Sequence, residues 1–355
     1  VFEVSTGVSL PAWKLVRWLY VRGAGRGIIG RTYGKLRSRR DYNKDSLVLS
    51  LLTRSIRRTY ANEQNPIVVA HPTLVAALRG KDHLFYQHGE LVAPHESLVR
   101  GAAAVFVPTQ EVAEAFLSAG YNATEVIVTG LCIEPSLVKQ ADDAFQIRVD
   151  RINRREPLTG AFYSSGAEPR RHVDQLLAAS GSAVESGGKV ILFGRRDGRL
   201  IHRALRQFDR AHVDYALIDS TDFVSDIMPQ VLIVSYDSRR EETIFTSRLY
   251  PYFDYFVAPS HERSNWALGL GLPMFVVGPC IGPFAPLNRD IVRDHGVAEM
   301  LGEDIDSDRF GELLTHLRHT GRLTEMAING WHKFSVDGFE KIAHFLVKAC
   351  ETDLM

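Results

Sequence analysis

The sequence predicts an α/β protein built from two parallel-sheet halves. Three observations point that way. Short apolar runs alternate with helical patterns along the chain, the mark of parallel strands joined by crossover helices. The alternation lapses once, in the charged stretch 147–157, and then restarts. At 355 residues the chain has room for two domains with sizeable cores.

The elements follow in order. Val1 to Val4 reads as a strand end, so a first strand and loop are expected to precede it in the natural protein. Pro11 to Val21 reads as a helix with Leu15, Val16, Leu19 and Tyr20 as its stripe, and Gly23 to Arg40 is less regular. Ser46 to Tyr60 is a helix, Pro66 to Ala70 a strand, and Pro72 to Leu78 a short helix opened by proline. His83 to Gln87 and Gly101 to Val107 are buried strands. Pro108-Thr109 starts a helix to about Ala119, with Glu111 and Glu114 where the dipole favours acids. Glu125 to Thr129 is a strand. The polar stretch Ile147 to Pro157 reads as the interdomain linker. Domains are therefore expected at 1–150, 151–334 and, as a final helix, 335–355.

The second half repeats the plan. Leu158 to Tyr163 is a strand with Ser164-Ser165-Gly166-Ala167 as its loop, and a helix follows from Arg171 to Ser180. Lys189 to Phe193 is a strand ending at Gly194-Arg195, and Leu200 to Phe208 a helix. Tyr215 to Ile218 and Val231 to Val234 are strands; Tyr236 to Glu242 reads as a charged loop. Phe253 to Asn288 is the centre of this half. It holds two buried strands, Phe253 to Ala258 and Leu272 to Val277, a short helix from Asn265 to Leu270, and an open Pro- and Gly-rich loop. Ligands of such sheets sit beyond the carboxyl ends of the strands. Asn288 to His295 is a helix, Ala298 to Leu301 a strand, Ser307 to Thr320 a helix, and Gly338 to Glu351 the last helix.

Composition excludes several classes. The net charge is zero and no nucleic-acid motif occurs, so nucleic acid is not an expected partner. No run approaches the ~18 apolar residues of a spanning helix. Cys132, Cys280 and Cys350 lie far apart, have no metal spacing and suit a reducing, cytoplasmic compartment. The neutral total hides an asymmetry. Residues 1–60 hold thirteen Lys and Arg against three acids, a charge of +10, and the rest sums to −10. Trp13, Trp18, Tyr20 and Tyr33 stand among these cations, a pattern that suits anionic lipid headgroups, with a solvated basic face as the alternative. Asp304, Asp306 and Asp308 have D-x-D spacing but precede a helix, so capping explains them better than a metal.

Two Rossmann-like halves with a long last helix are the plan of a GT-B protein. Val107-Pro108-Thr109, Gly120 and Val128-Thr129-Gly130 resemble the "VP(S/T)", "G" and "VTG" marks of one GT-B group, the monogalactosyldiacylglycerol synthases and peptidoglycan N-acetylglucosaminyltransferases. Cys132 stands near the proline of that pattern. Ala267-Leu268-Gly269-Leu270-Gly271-Leu272-Pro273 and Asn288 are similar to the group's donor-binding segment. The chain departs from it at Pro259-Ser260, which replace a glycine pair, at Trp266, which replaces a ribose-holding acid, and around Pro283-Phe284-Ala285, which replaces a loop acid. Glu262 stands four residues before Trp266. The group's first glycine-rich loop would precede Val1.

The resemblance implies two domains facing a cleft, with the last helix returning to the first domain. It implies metal-independent hexosyl transfer from a nucleotide sugar, UDP-linked, to a lipid or lipid-linked acceptor. The protein would be peripheral on the inner face of the membrane, docked through residues 13–58, with no cofactor beyond the donor. Such transfer needs a base, donors for the leaving diphosphate, and exclusion of water. His88 and His95, with Glu90 and Glu96 beside them, are candidate bases after a strand, against surface polarity as the alternative. His71 is a weaker candidate. Ser164, Ser165 and Gly166 offer N–H groups to phosphate, and Arg195 offers charge. Ser264 and Asn265 open the short helix and either cap it or meet phosphate or sugar. Asn288 meets the donor or caps its own helix. Two rival readings stay open: a non-catalytic relative that binds nucleotide, lipid or a partner subunit, and a nucleotide-sugar epimerase or polyol-phosphate transferase.

Overall fold

The structure, a computed structural model, describes residues 41–44, 47–221, 229–302 and 306–352. The expected N-terminal strand and helix, and the basic segment up to Arg40, lie outside these residues. The chain divides into two compact units. One takes the residues up to Cys132, Gly282–Phe284 and the chain from Asp337; the other takes Ile133–Ile281 and Ala285–Val336.

The first unit contains α1 (Leu47–Thr59), β1 (Ile67–Val69), α2 (Pro72–Leu78), β2 (Leu84–Gln87), β3 (Ala104–Val107), α3 (Gln110–Ser118) and β4 (Val126–Val128). The four strands pair in parallel, in chain order. Side chains of a strand alternate between faces. Leu84, Tyr86, Val105 and Val107 therefore pack with Ile56, Val75, Val112 and Phe116 of the helices, while Phe85, Ala104 and Phe106 form the opposite face. Local capping starts the helices. His71 Nδ1 accepts from the Thr73 N–H at α2, and Thr109 Oγ1 accepts from the Val112 N–H at α3.

The second unit runs α4 (Pro135–Val138), α5 (Ala141–Arg154), β5 (Thr159–Tyr163), α6 (Arg170–Glu185), β6 (Lys189–Arg195), α7 (Arg199–Ala211), β7 (Tyr215–Ile218), β8 (Val231–Tyr236), α8 (Arg239–Leu249), β9 (Tyr255–Ala258), α9 (Ser264–Gly269), β10 (Met274–Val277), α10 (Ala285–Asp294), β11 (Ala298–Leu301), α11 (Phe310–His319) and α12 (Arg322–Gly330). Its seven strands are parallel, in the order β11-β10-β9-β5-β6-β8-β7. The chain builds from β5 to one side, then returns to lay β9 on the other. The direction of winding thus reverses between β5 and β9. Both faces of the central strands are covered, so their residues are apolar without alternation. The last helix, α13 (Gly338–Thr352), belongs to the first unit, as expected. Ile342 is buried there, and the Phe345 ring lies 6.0 Å from Phe85 and 5.3 Å from Phe106.

Several expectations are corrected. Residues 147–154 are not linker but the second half of α5. Arg148 is fully buried in it, and its guanidinium donates to the carbonyls of Phe253, Leu270 and Gly271 at 3.0, 3.0 and 3.1 Å. The supposed loop Tyr236 to Glu242 ends β8 and starts α8, with the Ser238 hydroxyl accepting from the Glu241 N–H. The strand expected over Lys189 to Phe193 runs on to Arg195, the last residue of β6. Asn288 lies inside α10, not on an open loop. Asp304 is outside the described residues, and Asp306 Oδ1 caps the turn after it by accepting from the Asp308 N–H at 3.2 Å. Among the described residues no helix is long and apolar enough to cross a membrane.

Candidate functional site

The reversal between β5 and β9 sets the carboxyl ends of β9, β5 and β6 side by side. Ligands of parallel sheets bind at such a point, because the flanking crossovers leave on opposite faces and open a crevice. Three of the expected groups lie at or beyond those strand ends. Ser164 follows β5, Arg195 ends β6, and Ser264 opens α9 after the turn that follows β9. The Ser164 and Ser264 hydroxyls are buried and have no hydrogen-bond partner. An unsatisfied buried hydroxyl costs about 1–3 kcal/mol, so each of the two can take up a hydrogen bond from a polar group. Asn265 is buried beside Ser264. Ser165 is half-buried and Gly166 exposed, with open space where a side chain would stand.

The Ser164 loop is pinned at its far end. Glu168 adopts a left-handed φ of 44° and buries its carboxylate. That carboxylate accepts from the Arg199 N–H and, at 3.2 Å, from the Leu200 N–H, so it caps α7 from another loop. Arg199 Nη1 donates back to the Glu168 carbonyl at 3.0 Å. Burial raises the Glu168 carboxyl above its usual range, against the two N–H groups that favour its charge. On the other side, His172 Nε2 donates to the Pro279 carbonyl at 2.8 Å and Gln175 Oε1 accepts from the Gly278 N–H at 2.8 Å. Helix α6 therefore holds the loop after β10. Asn288 turns inward and donates to the Ser260 carbonyl at 3.3 Å, while Ser260 Oγ donates to the Ala285 carbonyl at 2.7 Å. Asn288 thus ties α10 to the turn after β9.

An ion network beyond β8 and β9 escaped sequence reasoning. Arg239 reaches Glu262 at 2.8 Å, Glu242 at 2.9 Å and Glu134 at 3.6 Å. Arg263 pairs with Glu242 and lies 4.3 Å above the Tyr163 ring. Trp266 is only 3% exposed, wedged against Tyr163 and Phe256 with ring centroids 5.5 and 5.7 Å away. Its Nε1–H points at Glu134 Oε2, 3.4 Å away. Trp266 is therefore core, and it faces one acid of the network. A signal was present: Arg239, Glu242, Glu262 and Arg263 are four charges of mixed sign on segments adjoining buried strands, where isolated charges would be costly.

In the first unit, His88, Glu90 and His95 follow β2. His88 is 3% exposed and both ring nitrogens are engaged. Nε2 donates to the Val92 carbonyl at 2.9 Å, and Nδ1 accepts from the Tyr86 hydroxyl at 3.1 Å. The ring packs edge-on against Phe116, centroids 5.3 Å apart. A neutral imidazole spent in this way offers no nitrogen to a substrate proton. The expected base role does not match this geometry, whereas His95 is exposed at the start of a 3-10 turn and Glu90 is half-buried. His71 caps α2.

Burial lowers the His88 pKa from 6.5 to about 4, with the Val92 bond opposing. The unfolded chain takes up this proton near pH 6.5, the folded unit only near pH 4. Stability from His88 is therefore complete above pH 6.5 and is lost as pH falls towards 4, by about 3 kcal/mol in all. Urea titrations at pH 7 and pH 4.5 should show this loss, and a His88→Gln chain should show a smaller one. An equal loss in both chains would remove His88 as its source.

Among the described residues, no group of three or more His, Cys, Asp or Glu is placed to hold a metal ion. No family model matches the chain, and no curated protein sequence matches it. Solved structures do. The UDP-GlcNAc 2-epimerase from Neisseria meningitidis, bound to UDP-GlcNAc, superposes with a TM-score of 0.57 at 13% identity, over 87% of this chain and 84% of that one. MnaA of S. aureus, solved with UDP, gives 0.54 at 11% identity over 88% and 81%. A putative UDP-N-acetylglucosamine 2-epimerase from Listeria monocytogenes gives 0.53 at 12% identity over 88% and 83%. The likeness shows the fold: two successive parallel α/β units of GT-B type.

Proposed function

We propose that the chain is a nucleotide-sugar enzyme that moves a hexosyl group from a UDP-linked donor to a lipid or lipid-linked acceptor at the inner membrane face. One observation carries the reading. Ser164, Arg195 and Ser264 stand at or beyond the carboxyl ends of three adjacent strands at the reversal point of the second sheet. Two hydroxyls without partners and a guanidinium suit a diphosphate, which needs donors and positive charge and, with these, no metal. Both hydroxyls are closed off from solvent here, so the donor meets them after the covering residues shift. In the first unit His95, with Glu90, takes the role of base. The basic segment 13–58 docks on anionic lipid.

The test is thermal stabilisation of the full chain by a panel of nucleotides and nucleotide sugars. A bound member at a hundredfold excess over its Kd adds about 2.7 kcal/mol. Ser164→Ala and Ser264→Ala should each weaken that ligand about tenfold, the worth of one hydrogen bond to a charged group. No response to any member would end the donor reading. With a responding member, His95→Ala should lose transfer to a lipid extract and keep the stabilisation. A second reading, epimerisation of the nucleotide sugar, draws on the UDP-GlcNAc 2-epimerases among the similar structures. Recovery of an epimerised nucleotide sugar without any acceptor would select it. Stabilisation with no product of either kind would leave a binder, in keeping with a buried Trp266 where the resembling group has an acid.

A further inference from the structure

Helix α7 carries a ridge of arginine that the donor site does not use. Arg199, Arg203, Arg206 and Arg210 recur at i, i+4, i+7 and i+11. At 3.6 residues per turn they fall within about 40° of one line and span about 16 Å along the helix. Leu200, Ile201, Ala204 and Phe208 are buried on the opposite side, so the helix is firmly seated and cannot roll the ridge inward. Arg199, Arg206 and Arg210 are exposed. Among the described residues only Arg203 of the four has a carboxylate partner, Asp174 of α6. Arg199 spends one donor on the Glu168 carbonyl, and Arg206 Nε donates to the His202 carbonyl of its own helix at 3.1 Å. The Arg206 bond neutralises no charge, whereas Arg199 also lies in the field of the Glu168 carboxylate. Exposed His202 lies on one edge, and Asp209, two turns further on, accepts from the Tyr215 hydroxyl at 3.0 Å. Exposed Arg170 and Arg171 open α6, which packs alongside.

We infer that this ridge docks the second unit on an anionic phospholipid bilayer. A straight line of guanidiniums on a firmly seated helix matches an extended anionic surface. Guanidinium binds phosphate bidentately and is more weakly hydrated than an ammonium, so it suits lipid phosphates. The outward face of α7 has no Phe, Tyr or Trp, since Phe208 is buried, and its one exposed ring is the His202 imidazole. Single-stranded nucleic acid, which needs stacking platforms besides charge, is less well served. The inference stands apart from the donor reading and from the basic segment 13–58. It adds a consequence, because Arg199 also holds the loop that carries Ser164: docking would act on the residue that pins that loop.

The experiment is flotation of the full chain, with segment 13–58 intact, on phosphatidylcholine vesicles with and without phosphatidylglycerol. Binding should require the anionic lipid and fall with salt. Each arginine near such a surface contributes about fivefold, so Arg206→Ala with Arg210→Ala should weaken binding roughly 25-fold. Arg206→Lys with Arg210→Lys should restore most of it. Both side chains are exposed and carry no packing, so melting should not change, and any nucleotide-induced stabilisation should persist in both variants. Unchanged vesicle affinity in the alanine variant would overturn the inference. So would equal binding to neutral vesicles, or a variant that loses binding to an RNA oligomer while keeping vesicle binding.

Discussion

Arg148→Met is expected to destabilise the second unit by about 4 kcal/mol or more. Removing the guanidinium takes the donor from three buried carbonyls, those of Phe253, Leu270 and Gly271, and each loses about 1–3 kcal/mol. Methionine has nearly the right volume, so the loss reports hydrogen bonding more than a cavity. The three acceptors enter β9 and leave α9, so the variant should also loosen the segment that presents Ser264. Arg148→Lys keeps the charge but not the planar fork, and should recover only part. Denaturant unfolding followed on the second unit measures this. A midpoint within error of the parent would mean that water replaces the guanidinium without cost.

Gly330→Ala is expected to cost about 3 kcal/mol, the upper end for overpacking. A Cβ at Gly330 would stand 1.8 Å from the Ala267 carbonyl oxygen, and that oxygen is backbone. The end of α12 therefore cannot accept a methyl without pushing α9 away. In a unit of this size the cost should appear as a melting point lower by roughly 6–12 °C. Ligand binding through Ser264 should weaken with it. Gly166→Ala is the matching control, since nothing stands within 4 Å of its Cβ position, and it should melt like the parent. A similar drop in both variants would point to helix or loop propensity rather than to the close approach.

Much of the fold is legible in the sequence because fully covered parallel strands declare themselves as apolar runs. The stretch 159–163 and the Pro72–Leu78 helix are readable in this way, the second through its proline start. Helices α5 and α8 are not, for a shared reason. Their charges look solvated, yet Arg148 turns inward to backbone carbonyls, and Arg239 and Glu242 neutralise each other and the turn after β9. Which charges meet is a property of the folded chain. The strand order is equally hidden. Nothing in β7 and β8 announces that the later strand lies inside the earlier one, and the placing of β9 against β5 is what gathers Ser164, Arg195 and Ser264. Those three were readable as polar residues at strand ends. His88 was readable as a histidine at a strand end, but its consumption by Tyr86 and Val92 was not.

The Arg148 bonds also set an order of events during synthesis. The guanidinium and its first acceptor, the Phe253 carbonyl, are 105 residues apart, and the Gly271 carbonyl is 123 residues away. At about 5–20 residues per second, translation leaves the arginine without its acceptors for roughly 5–25 s after it is made. Strands β5 to β8 are made one after another during that interval, β8 ending at Tyr236, and β9 follows the first acceptor, Phe253. When β8 is complete and β9 is still to come, the edge of β5 that will pair with β9 is open. The second unit's last-made strands, not its first, decide when a buried charge can be sealed in.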